Sequence, residues 1–106
     1  MSMLAVTLTN DTATAVVAAT ASERAKILRL VLTNRHATVP VSVIVLDGST
    51  ERARYHLAAA GGQLSLGDGI NPIFPPELFT ANTAVNLKQS VNQDGTVGHI
   101  EWGFCK

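Results

Sequence analysis

From about residue 25 onward apolar residues recur with period two far more often than with period 3.6, and this alternation is the feature that most limits the fold. Successive side chains of an extended strand point to opposite faces of a sheet, so a period of two makes one apolar and one polar face; a helix needs a period of 3.6. Leu28, Leu30 and Leu32 alternate with Arg29 and Thr33, and Val41, Val43 and Val45 with Ser42. Ala53, Tyr55 and Leu57 stand against Arg52, Arg54 and His56, Val85 and Leu87 against Asn86 and Lys88, and Ile100, Trp102 and Phe104 against His99 and Glu101. The last run supplies the only tryptophan, expected in the core.

Turn residues divide these runs at regular intervals: Asn34-Arg35-His36, Asp47-Gly48-Ser49, Gly61-Gly62, Gly67-Asp68-Gly69, Asn71-Pro72, Pro75-Pro76 and Asp94-Gly95. Each group supplies a positive φ, a fixed φ or a side chain that bonds its own backbone. With shorter strands at 5–8, 14–17 and 63–66 the count reaches about eight, the scale of a small sandwich. Residues 18–27 offer Ser22 as an N-cap but no apolar stripe, which favours strand or loop over helix. The expected fold is all-β: a single small antiparallel β-sandwich or jelly-roll-like domain, with 1–24 as N-terminal strands or arm of that domain and 25–106 as its core.

Composition narrows the function. A chain of 106 residues is one domain. Hydrophobic residues make up 46% but aromatics only 5%, so the core is built from Ala, Val, Leu and Ile. Charged residues, at 15%, fall below the ~25% of an ordinary soluble domain, which implies that part of the surface is covered by something other than water. Eight basic residues balance eight acidic ones, so the chain lacks the electrostatic footprint for nucleic acid or an anionic membrane. The single cysteine, Cys105, excludes an intramolecular disulfide and a cysteine zinc site. The densest apolar run, 39–46, is interrupted by Pro40 and Ser42 and is far short of the ~18 residues of a membrane span. No basic region precedes an apolar stretch at the N-terminus, so synthesis and assembly in the cytoplasm are expected.

Catalytic chemistry finds little support. His36, His56 and His99 have no ligand spacing, and the glycine pairs lack the Lys-Ser/Thr ending of a phosphate loop. Asp47-Gly48-Ser49-Thr50 lacks the repeated acidic positions of a calcium loop and reads as a hairpin turn. No enzyme activity, cofactor or metal is expected. Three interface candidates remain, one of them the Thr/Ala-rich N-terminal segment. Arg52, Arg54 and His56 alternate along one strand, either gripping acidic groups of a partner or forming a solvated face balanced by Glu51. The irregular segment 61–80 carries Ile70, Ile73, Phe74, Leu78 and Phe79 among few charges; such a loop packs under the core or meets a partner, and it is the first candidate for an interface.

From Lys26 to Phe104, a strand ends in Leu32-Thr33-Asn34, a Val-rich strand runs into Asp47-Gly48-Ser49-Thr50, and an Ala/Gly corner follows at 58–62. A Pro-containing segment at 71–76 precedes two closing strands, the last being Ile100-Glu101-Trp102-Gly103-Phe104. These features stand in an order that resembles the small β-sandwich structural proteins of tailed bacteriophages. The resemblance implies a virion component without catalytic residues: a capsid decoration or cement protein, commonly a homotrimer, held by contacts with itself and with the major capsid protein or other virion proteins. The alternative it leaves open is a tail, fibre-tip or carbohydrate-binding module that recognises a host surface.

Overall fold

The computed structural model describes residues 2–105, in which the alternation becomes eight strands: β1 (Ser2–Leu8), β2 (Thr14–Val17), β3 (Arg24–Asn34), β4 (Val41–Asp47), β5 (Thr50–Leu57), β6 (Gly62–Leu66), β7 (Val85–Gln89) and β8 (Thr96–Cys105). They form two sheets of order β1-β8-β3-β6 and β2-β7-β4-β5, with every pairing antiparallel. Eight strands divided in this order are a jelly roll. The sequence 18–27 is loop and then strand, as the missing apolar stripe implies.

The long pair β3 and β8 forms the spine, in register from Arg24↔Cys105 to Asn34↔Thr96. Ile27, Leu30, Leu32 and Ile100 from one sheet face Val41, Val43, Val45, Val85 and Leu87 from the other, and Val6, Leu8, Val16 and Val17 close one side. Each such side chain contributes roughly 1.5–3 kcal/mol by leaving water. Trp102 and Phe104 face inward but lie half-buried at one end of the spine. At Gly98 the spine leaves no room for a side chain, because a Cβ there would run into the Val31 carbonyl.

The row Leu28–Leu30–Leu32 is corrected by a bulge. Ile27 pairs with Trp102 and Arg29 with Glu101, so Leu28 is an extra residue and Ile27 takes its place on the inner face. One inserted residue reverses the parity of everything before it. Leu28 is still buried, outside the main core cluster, and its carbonyl accepts a hydrogen bond from the Gly69 amide at 3.2 Å.

The expected turn at Asp47-Gly48-Ser49-Thr50 is a two-residue hairpin, with Asp47 opposite Thr50 and Gly48 at φ 62°. Glycine at the first central position suits the tight turns that match strand twist.

The long segment between β6 and β7 closes one side of the sandwich. β6 stops opposite Leu30, and the chain then continues along the uncovered part of β3, where the Gly69 and Ile73 amides donate to the Leu28 and Ile27 carbonyls. Ile73, Phe74 and Leu78 pack against the core, and Phe79 is 1% exposed within it. Phe79 meets Phe74 edge-on with centroids 6.0 Å apart, and Phe74 lies 6.5 Å from Tyr55 on the inner face of β5. Asp47 fastens the far end: Oδ1 accepts from the Thr80 amide at 3.1 Å and Oδ2 from the Thr80 hydroxyl at 2.7 Å.

At one end of the sandwich a buried polar network spans the sheets. Gln89 Nε2 donates to the carbonyls of Asn10 and Gln93, its Oε1 accepts from the Thr96 hydroxyl, and Asn34 Nδ2 donates to the Val39 carbonyl. Buried amides are tolerated where such partners replace water.

Candidate functional site

The loop residues named as interface candidates divide sharply. Phe79 is core, Ile73, Phe74 and Leu78 are half-buried against it, and only Ile70, at 76% exposure, is free to meet a partner. Of the two fates open to such a loop, packing on the core absorbs most of its apolar surface.

The basic stripe is also rearranged. Leu46 pairs with Glu51 and Val45 with Ala53, which leaves Arg52 as the extra residue of a second bulge. Arg52 turns to Asp47, 3.5 Å away, while Arg54 and His56 stay exposed beside Ile44 and Ser42. The bulge thus removes Arg52 from the row and puts Glu51 in it. Arg54 binds Glu51 through two hydrogen bonds, at 2.8 and 3.2 Å. Those bonds hold the Glu51 carboxyl below its ordinary range and raise the Arg54 guanidinium further. Both side chains are exposed, so the pair orients side chains more than it stabilises the fold.

The pair forms one wall of a shallow depression of about 690 Å³ on the outer face of β2-β7-β4-β5. Ile44 and Leu46 make its floor, Asn86 and Lys88 the opposite wall, and Asp11 to Ala13 part of its rim. Arg54 and Lys88 flank Ile44 on the two neighbouring strands, and Glu51 and Asn86 flank Leu46. Asn86 donates through Nδ2 to the Gly48 carbonyl at 2.7 Å, which fixes its amide at the rim. Sequence reasoning passed over this site. Its signal was the unbroken apolar run 43–46, since a strand apolar at every position is covered on both faces.

A different surface lies on the side opposite the long loop, where β1 and β2 are the free edges of their sheets. Residues 2–5, 9–15 and 18–19 are exposed, with Met3 at 68% and Leu4 at 40%. From residue 2 to residue 22 Asp11 is the only charge. This side therefore carries a single charge in 21 residues.

The remaining candidates are structural. Glu101, on the outer face of β8, is nearly buried between Arg29 Nε at 3.3 Å and His99 Nε2 at 3.6 Å. His36 Nδ1 accepts the Thr38 and Val39 amides, and no three His, Cys, Asp or Glu side chains converge among the described residues. Tyr55 and Trp102 face inward and present no flat aromatic platform, and burial raises the Tyr55 phenol above its ordinary value. Compared with protein-family models, curated proteins and solved structures, the chain matches none.

Proposed function

We propose that this jelly roll is a non-enzymatic structural component of a virion, a decoration or cement protein that stabilises a shell through contacts with neighbouring subunits. The observation that carries the reading is the exposed, almost chargeless side made by residues 2–22. Interface centres are depleted in charge, and an isolated domain gains nothing by leaving two sheet edges and Met3 and Leu4 in water. Arg54 and His56, on the adjoining outer face, supply the polar contacts that fix orientation. Jelly rolls serve capsids and lectins alike, so the surface, not the fold, supports the choice.

The test is co-sedimentation of the purified chain with capsid shells that lack a decoration layer. Saturable binding that raises the temperature at which the shells break is expected; shells that neither bind it nor gain stability refute the reading.

The depression over Ile44 and Leu46 favours a second reading, a host-surface module that binds a glycan. Glu51, Arg54, Asn86 and Lys88 offer hydroxyl partners around an apolar floor. Glycan binding lost in Asn86→Ala, with unfolding unchanged, would establish it, and an array without a binder would remove it.

A further inference from the structure

The four sheet edges of this molecule are not alike. β5 is guarded by Glu51, Arg52, Arg54 and His56 and by its bulge; β2 has four residues and a register shift; β6 has five residues. Short length, charge and bulges are the devices by which sheets avoid adding strands from other molecules. β1 uses none of them. Its seven residues, SMLAVTL, contain no charge and no proline, and it pairs with β8 without interruption from Ser2↔Trp102 to Leu8↔Thr96. It therefore presents an uninterrupted edge on which alternate residues have free N–H and C=O groups, flanked by exposed Met3 and Leu4.

We propose that β1 pairs antiparallel with β1 of a second copy about a two-fold axis at Ala5, joining two four-stranded sheets into one of eight strands. The partner follows from the strand's self-complementarity. About that axis Ala5 meets Ala5, Leu4 meets Val6, Met3 meets Thr7 and Ser2 meets Leu8. No like charges oppose each other, and the half-exposed Leu4 gains an apolar neighbour on the inner face. Antiparallel self-pairing is isologous, so it closes at two copies, where the resemblance to decoration proteins implies three. The pairing adds a contact between copies of this chain to the shell contacts of the proposed function and stands without a capsid.

Light scattering on the unmodified chain should give twice 11.2 kDa at high concentration and fall towards 11.2 kDa on dilution. Ala5→Lys puts two ammonium groups opposite each other on the solvent face and should give the monomer, as should Ala5→Glu. Mixing the two variants should restore the dimer. Hydrogen exchange on the unmodified chain is an independent check: the alternate amides of residues 2–8 that point away from β8 should lose protection over the dilution that produces monomer, while those bonded to β8 and those of β3 keep theirs. A monomer at every concentration, a trimer, or a dimer that persists in Ala5→Lys overturns the pairing. A monomer that still binds shells overturns the pairing alone, and a dimer that ignores shells overturns the virion reading alone.

Discussion

Replacing Phe79 by Ala tests whether the segment between β6 and β7 is a wall of the core. Phe79 is 1% exposed and stacked edge-on against Phe74, so truncation removes its transfer free energy and leaves a cavity. Such changes cost about 3–5 kcal/mol. With about 2.1 cal/mol/K of unfolding entropy per residue over 106 residues, that is a fall in Tm of roughly 13 to 22 °C. Ile70→Ala is the control on the same loop. At 76% exposure its loss should stay within about 0.5 kcal/mol, or ~2 °C. Thermal unfolding followed by Trp102 fluorescence and far-ultraviolet dichroism, at one fixed protein concentration, measures both. A Phe79→Ala cost under ~1 kcal/mol, or an Ile70→Ala cost equal to it, would refute the assignment of this loop to the core.

Asp47→Ala leaves the Thr80 amide and the Arg52 guanidinium without their acceptor, and should cost about 2–4 kcal/mol, with faster hydrogen exchange confined to residues 78–84. Glu51 and Asp68 are both held below their ordinary values of 4.5 and 3.8, Glu51 by Arg54 and Asp68 by the Asn71 and Ile70 amides. A depressed folded pKa stabilises above the unfolded value and is lost as pH falls through the folded one. Because both carboxyls are exposed, urea midpoints should hold steady down to ~pH 5 and then fall only slightly, and the carboxyl titration of Glu51 should move up in Arg54→Ala; a midpoint that rises on acidification contradicts this.

Much of the fold was legible in the sequence because its rule is local. Val41, Val43, Val45, Val85, Leu87 and Ile100 lie on the inner faces that alternation assigns them, and Asp47-Gly48-Ser49-Thr50 closes the expected hairpin. The bulges at Leu28 and Arg52 were not legible, because an extra residue shows only when a strand is set against its partner. Each one moved a residue named from the pattern: Leu28 out of the core row and Arg52 out of the basic row.

The candidate sites followed the same division. Apolar character identified Ile73, Phe74, Leu78 and Phe79 as residues that need cover, but whether the cover is the protein's own core or another molecule depends on where β6 stops along β3. The sequence by itself determined the strands, their inward faces, their turns and the scarcity of charge, since these rest on backbone geometry and on transfer from water, which act residue by residue. Only the tertiary structure decided that β1 is a free edge, that Ile44 and Leu46 floor a depression and that the long loop is a wall, because pairing partners and covered faces are set by contacts between residues far apart in the chain.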